Sequence, residues 1–155
     1  MALEYHLDLV TSLSGDELLR RLAGGGASGA PTRAGARAGP DPAFVDTGVE
    51  ATAGPCSTAR RTLQRDALGT DASVTITFVL DKFGDIGEER RAILAWTGRL
   101  LRQHLGDAVL RLGGEVVLLY RRAGQVVVNA ESDLFSEEDL ASLDVACERR
   151  TIPWL

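Results

Sequence analysis

The segment Ser73–Asn129 constrains the fold more than any other part of the chain, because it joins one strand, one helix and three further strands through short turns. In Ser73–Leu80 apolar and polar residues alternate, which predicts a strand with one face against a core. After a turn at Asp81–Gly87, apolar residues recur at steps of three and four and predict a helix over roughly Glu88–Leu105. This stripe is formed by Ile93, Trp96, Leu100 and His104.

The rest of this segment predicts a three-stranded antiparallel meander. Its strands are Asp107–Leu112, Glu115–Arg122 and Gln125–Asn129. Gly113-Gly114 and Ala123-Gly124 separate them, and we expect a two-residue hairpin turn at Gly113-Gly114 with positive φ at both glycines. No recognisable catalytic or cofactor motif occurs in the segment, which favours a binding protein over an enzyme.

The flanking regions add elements to this sheet. Leu3–Val10 alternates and predicts a strand with one buried and one wet face, while the capping box Ser14–Glu17 begins a short helix that ends at Gly24. Less regular patterns suggest a strand within Phe44–Ala53 and helical character in Ala59–Leu68. Ser136 caps a last helix, predicted over Glu137–Arg149. The sequence therefore predicts an α+β fold, a mainly antiparallel sheet with helices packed on one face, in the order β-α-β-β-α-β-β-β-α.

The length of 155 residues predicts a single domain over residues 1–155. Residues 24–42, Gly24–Pro42, are rich in Gly, Ala, Arg and Pro without apolar periodicity, which predicts a flexible loop. Gly24–Gly29 resembles a phosphate-binding loop only in its glycines, since Ala30-Pro31 follows where a Lys-Ser/Thr pair is needed.

Charge and cysteine content narrow the class of protein further. The formal net charge is −5, and residues 131–155 alone carry seven acidic residues and two arginines. Such a surface repels phosphate backbones and attracts basic partners, so we expect no nucleic-acid ligand.

Cys56 and Cys147 lie far apart and predict reduced thiols. With no signal-like or membrane-spanning apolar run, we expect a cytoplasmic protein without membrane association.

Two polar clusters are candidates for a functional site. One is the turn that holds Asp81, Lys82 and Asp85, where two carboxylates lie on either side of the only lysine. These carboxylates either flank a cation, act as acid and base, or serve turn geometry. The other cluster comprises five acids around the start of the last helix: Glu131, Asp133, Glu137, Glu138 and Asp139. Helix capping accounts for two or three of these acids, so an acidic recognition patch is a reasonable hypothesis. A nearby apolar tail, Ile152–Leu155, is expected to dock on the body, or to expose Trp154 as an interface anchor.

Metal and cofactor chemistry finds no support in the sequence. His6 and His104 are the only histidines; a surface and a boundary position account for them better than metal ligation does. Neither cysteine lies in a nucleophile motif. We therefore predict no metal, no cofactor and no catalytic residues.

Three stretches carry a resemblance to a known family: the opening Met-Ala-Leu-Glu-Tyr-His-Leu-Asp-Leu, Ser73–Lys82, and Gly106–Leu110 with the hairpin to Asn129. They resemble the immunity proteins of the swarming-inhibition (Sit) toxin systems of myxobacteria, which have relatives in actinobacteria. The resemblance leaves Gly24–Asp71 unmatched. It implies a cytoplasmic antidote that binds a delivered toxin and neutralises it in the producer and its kin.

Three hypotheses follow. In the first, the chain is a non-enzymatic immunity protein, a monomer or homodimer, that binds a cognate toxin domain through the acidic C-terminal residues, and a basic toxin domain is one candidate. In the second, it is a small-ligand-binding or enzymatic α+β domain with a cleft near Asp81–Asp85. In the third, it is a structural homodimer built on an exposed sheet edge.

Overall fold

The computed structural model describes residues 3–23, 43–46, 48–103 and 106–155, which form one eight-stranded sheet and four helices. The predicted loop at Gly24–Pro42 and the side chain of His104 lie outside these residues. The helices are α1 (Gly15–Leu22), α2 (Thr58–Leu68), α3 (Ile86–Gln103) and α4 (Glu137–Leu143). The strands are β1 (Glu4–Leu9), β2 (Ala43–Asp46), β3 (Val49–Pro55), β4 (Val74–Leu80), β5 (Ala108–Leu112), β6 (Val116–Arg122), β7 (Gln125–Asn129) and β8 (Cys147–Arg150).

The strands lie in the order β2-β3-β4-β1-β5-β6-β7-β8. All neighbouring pairs are antiparallel except β7 and β8, which are parallel. β1 occupies the interior, pairing with β4 on one side and β5 on the other. The predicted α+β class, the mainly antiparallel sheet and the β5–β6–β7 meander are confirmed.

One face of the sheet, here called the helical face, carries α1, α3 and α4 over the main core. Apolar side chains of the strands meet those of the helices there, and Phe78 stacks on Trp96 with ring centroids 5.9 Å apart. Gly98 lets α3 approach α4 closely, since a Cβ at this position would lie 1.7 Å from the Leu143 carbonyl oxygen. The prediction of helices on one face therefore holds for three of the four.

The second face of the sheet, here called the α2 face, is covered in part by α2. A smaller apolar cluster lies beneath and beside this helix: Leu68, Val109, Val117, Val127 and Ile152. Strand β1, which lies between β4 and β5, directs Asp8 to the α2 face, where Asp8 is fully buried. The prediction of a wet face on the first strand is wrong at this position, because α2 and its neighbours cover the carboxylate.

The last predicted helix is shorter than expected. α4 ends at Leu143, and Asp144 adopts a left-handed conformation (φ 50°) that terminates it. The chain then forms β8 alongside β7 instead of continuing the predicted helix to Arg149. All four residues of β8 are exposed, so periodicity gave no signal for a strand.

Two turns also differ from expectation. The predicted strand Phe44–Ala53 is instead a hairpin, β2 and β3, around Gly48, whose φ of 81° requires glycine. Between β5 and β6 the loop has three residues, since Leu112 pairs with Val116, and only Gly113 has positive φ. The pairing of β5 with β6 also shifts its register between Leu110 and Arg111.

Candidate functional site

The five acidic residues near α4 divide into different roles. Asp139 is buried, and its carboxylate accepts a hydrogen bond from the Ser136 amide (3.0 Å) while its own amide donates to the Ser136 hydroxyl (3.1 Å). Arg90 and Arg91 from α3 approach the same carboxylate at 3.6 and 3.9 Å. Asp139 therefore caps α4 and ties it to α3, and it is not available to a partner.

Glu137 and Glu138 occupy the first turn of α4 and point into solvent. Their side chains are 88% and 80% exposed. Glu137 pairs with Arg149 on β8, and Glu138 lies 4.0 Å from Arg91. Exposed pairs of this kind contribute little to stability, so both carboxylates remain accessible to a binding partner.

Glu131 and Asp133 lie in the loop between β7 and α4, and both are exposed. The buried Asn129 shapes the start of this loop, because its side chain donates to the Val117 carbonyl (2.9 Å) and accepts from the Glu131 amide (3.1 Å). Thr151 donates to the Glu131 carboxylate at 3.2 Å. Asp133 makes no hydrogen bond or ion pair with other described residues.

A groove of about 340 Å³ lies beside this loop, and its walls combine apolar and acidic side chains. It is lined by Val116, Asn129, Glu131, Ser132, Asp133, Leu134 and Trp154. Trp154 is 68% exposed. We call Glu131, Asp133, Glu137, Glu138 and Trp154 the acidic surface.

The C-terminal segment fixes the position of Trp154. Ile152 is buried in the apolar cluster on the α2 face, and the Leu155 amide donates to the Glu115 carbonyl at 3.1 Å. The expected docking of the tail therefore holds for Ile152, while Trp154 between these two anchors faces solvent. An aromatic ring held in this way is suited to an interface, because little conformational entropy remains to be lost on binding.

The second candidate cluster, at the turn after β4, has its carboxylates engaged by backbone amides. Asp81 accepts from the Phe83 amide (3.0 Å), and Asp85 accepts from the Gly87 and Glu88 amides (2.9 and 3.1 Å). Lys82 lies over the exposed Phe83 ring, 4.8 Å from its centroid. These contacts stabilise the turn and the start of α3.

A buried carboxylate that sequence reasoning did not single out lies below this turn. Glu89 is 1% exposed, and Gly48 and Gly84 make room for it: a Cβ at these positions would lie 2.7 and 1.8 Å from its Oε1 atom. Burial, with the charges of Asp81 and Asp85 nearby, raises the pKa of Glu89. Its sequence signal is its position on the apolar stripe of α3, since Glu89 precedes Ile93 by four residues and Trp96 by seven.

Metal ligation finds no geometric support in the part of the chain that the structure describes, where no group of three or more His, Cys, Asp or Glu side chains is arranged to hold an ion. His6 lies on the α2 face opposite Thr77, with its Nδ1 atom 3.1 Å from the threonine hydroxyl. Burial and the nearby Arg111 charge lower the pKa of His6. Cys56 is buried and Cys147 exposed, and both are free.

A buried polar network on the α2 face was also missed by sequence reasoning. The Asp8 carboxylate accepts hydrogen bonds from Arg111 Nε (2.8 Å), from the Thr75 hydroxyl (2.5 Å) and from the Gln64 amide. Arg111 Nη1 also donates to the Gly113 carbonyl at 2.8 Å. The network joins β1, β4, β5 and α2, and charge at a polar position of an alternating strand was its only sequence signal.

The fold is that of an α+β protein, and exposed carboxylates and an exposed tryptophan lie on and near α4. Residues 3–139 match the SitI3-like family model, and the chain belongs to that family. The match confirms the resemblance to Sit immunity proteins and also spans Gly24–Asp71, which that resemblance leaves unmatched. No curated protein and no solved structure matches the chain. None of the described helices has the length and apolar character needed to cross a membrane.

Proposed function

We propose that this protein is an immunity protein that neutralises a cognate toxin by stoichiometric binding in the cytoplasm, without catalysis. The family match over residues 3–139 carries this proposal. The polar clusters described above are consistent with it, since their buried carboxylates act in capping and folding.

The acidic surface is the proposed contact face for the toxin. Glu137 and Glu138 on α4, Asp133 on the adjacent loop and Trp154 are all exposed, and Asp133 and Trp154 line the same groove. Carboxylates with few protein partners accelerate association with a basic protein, and a positioned tryptophan supplies apolar contact area. Glu131 belongs to the same surface, and of the five acids only Asp139 is excluded, because it is buried against α3.

The partner that fits this face is a toxin domain with a basic surface. A toxin that acts on nucleic acid would meet this description, because its substrate site carries positive charge. The negative charge of the acidic surface disfavours nucleic acid as a direct ligand of the immunity protein itself. We propose that the protein acts as a monomer or homodimer, with one toxin per chain.

Co-expression tests this function directly. The tagged protein is used to capture its partner from the native cell, and the candidate toxin domain is then expressed in a heterologous host with and without the immunity protein. We expect the toxin domain alone to arrest growth, and co-expression to restore it through a purifiable one-to-one complex. Growth arrest that persists in cells containing the folded protein would overturn the proposal.

The alternative of a ligand-binding or enzymatic cleft near Asp81–Asp85 has less support. Asp81 and Asp85 accept hydrogen bonds from backbone amides, and the Lys82 ammonium lies over the Phe83 ring. This arrangement explains all three side chains as parts of a turn.

A further inference from the structure

A second groove, on the α2 face, has the opposite character from the acidic surface. Its volume is about 350 Å³. Hydroxyl and guanidinium groups dominate its walls, which include Thr52, Ser57, Arg60, Thr75, Thr77 and Arg111. Small-molecule sites are usually lined by apolar side chains with few polar groups, so a polar groove of this size is suited to a small charged group.

Arg111 forms the floor of this groove and is held rigidly. It is 6% exposed, and the hydrogen bonds to Asp8 and Gly113 use two of the five N–H donors of its guanidinium. Gln64 and Thr75 complete the shell around Asp8. The position of the Arg111 charge is therefore set before any ligand arrives.

Arg60 forms one wall and has no counterion among the described residues. It lies in the first turn of α2, half-buried, and its guanidinium makes no ion pair or side-chain hydrogen bond with them. A Cβ at Gly114 would lie 3.7 Å from its Nη2 atom, which places the guanidinium beside the β5–β6 turn. Burial, and then the charge of Arg111, lower the pKa of Arg60, as expected for two neighbouring cations that share one carboxylate.

The local charge balance is positive in a protein whose net charge is −5. Among the residues that line the groove and their hydrogen-bond partners, Arg60 and Arg111 supply two positive charges and Asp8 one negative charge, while the lowered pKa of His6 favours its neutral form at pH 7. Glu4, on the same face, is half-exposed and lies 3.8 Å from His6. The exposed Glu115 acts on Arg60 only weakly and does not pair with it. A bound group with one negative charge would therefore balance the excess positive charge of the lining residues.

We propose that this groove binds a carboxylate, held between Arg60 and Arg111 with a hydrogen bond from the Thr52 hydroxyl of β3. Guanidinium groups bind carboxylates through two parallel N–H···O bonds, which fits a planar anion in a narrow groove. The carboxylate comes either from a free organic acid or from an acidic side chain of the bound toxin. Binding of a free organic acid goes beyond the proposed function and does not depend on it. Binding of an acidic toxin side chain rests on the proposed function.

Amide NMR titration of the full chain with succinate tests the first source, with sodium chloride at matched ionic strength as the reference. We expect saturable shifts at Thr52, Thr75 and Thr77. Arg60→Gln should weaken binding by on the order of tenfold, because a charge-assisted hydrogen bond is lost. The Arg60 side chain makes no bonds with the described residues that hold the fold, so the variant stays folded. Arg20→Gln removes a charge on the exposed face of α1 and should change nothing.

The second source is tested in the toxin complex. If succinate gives no saturable shift, Arg60→Gln should weaken toxin binding by roughly tenfold and couple to one acidic toxin residue in a double-mutant cycle, while Arg20→Gln has no effect. Absence of both the succinate shifts and this coupling would overturn the inference. Failure of toxin neutralisation alone would leave the succinate result standing, so the two proposals fail separately.

Discussion

At the scale of single residues, Asp8 shows how a position in a strand changes meaning when a helix covers it. The alternation in Leu3–Val10 correctly places Tyr5, Leu7 and Leu9 in the core, and leaves Asp8 on the other side. Only the packing of α2 across that side buries the carboxylate with Arg111. Alternation alone cannot show this, since it reports the direction of a side chain and not what lies above it.

Removing Asp8 should therefore be strongly destabilising. We expect Asp8→Ala to lower the free energy of unfolding by about 3–5 kcal/mol, because it leaves the Arg111 charge buried without a partner. Glu4→Ala, on the same strand and face but largely exposed, is the control and should change it by less than about 1 kcal/mol. Urea denaturation measures both. Equal effects would show that the buried ion pair does not stabilise the fold.

Removing the charge of Glu89 should instead increase the free energy of unfolding. Its pKa is raised in the folded state, so the folded protein holds this proton more tightly than the unfolded chain does. Stability from this group is present at pH values below the unfolded pKa and is lost as the pH rises through the folded pKa. Glu89→Gln removes this loss, and we expect it to raise the free energy of unfolding at pH 7 above that of the wild type.

Denaturation across pH 4 to 8 separates this effect from packing. The advantage of Glu89→Gln should grow with pH, whereas Asp66→Asn, at an exposed site on α2, should show no such trend. A difference between wild type and Glu89→Gln that stays constant with pH would mean that the buried carboxylate carries no charge penalty.

At the scale of elements, the contact of α3 with α4 depends on one small residue. Gly98 lies where the backbone of Leu143 reaches the helix. Gly98→Ala should favour an isolated helix by about 1 kcal/mol, yet we expect it to destabilise the protein by about 1–3 kcal/mol because the Cβ meets a carbonyl oxygen that cannot move freely. Gly54→Ala, where a Cβ meets nothing within 4 Å, is the control. A stabilised Gly98→Ala variant, measured by thermal unfolding, would contradict the packing of α4.

The C-terminal segment provides a test of the interface at the same scale. Trp154 is held exposed between Ile152 and Leu155, so its removal should not disturb the fold. We expect Trp154→Ala to weaken toxin binding by roughly 2 kcal/mol, the effect of losing an interface hot spot. Phe83→Ala removes another highly exposed aromatic, from the β4–α3 turn, and should leave affinity unchanged. Titration calorimetry with the toxin domain measures both, and the reverse pattern would place the contact at that turn.

Elements with strong local patterns were predictable, and those defined by tertiary contacts were not. The alternation of β4 and the glycine turns of the meander are local signals, and they suffice to predict an antiparallel sheet. The sequence predicts a helix where β8 lies, because Cys147–Arg150 is exposed on every side and forms a strand only through pairing with β7. The acidic residues were found by their density, whereas the separation of Asp139 from its neighbours needed the position of α3.

At the scale of the whole molecule, charge is distributed between two surfaces of opposite sign. The C-terminal residues place accessible carboxylates around α4 and the adjacent loop, while Arg60 and Arg111 face a groove on the α2 face. Composition reported only the sum of these charges. Which of them are accessible depends on burial, and accessible charge is what steers association with a partner.

The most direct test of the account is the dissociation constant of the complex with the cognate toxin domain, for wild type and for Asp133→Lys combined with Glu138→Lys. The matched control combines Asp16→Lys and Asp66→Lys, the same charge change at exposed sites on α1 and α2. We predict that the first variant raises the dissociation constant by roughly tenfold or more, and that wild-type affinity falls as salt rises. Equal dissociation constants for the two variants would contradict recognition through the acidic surface.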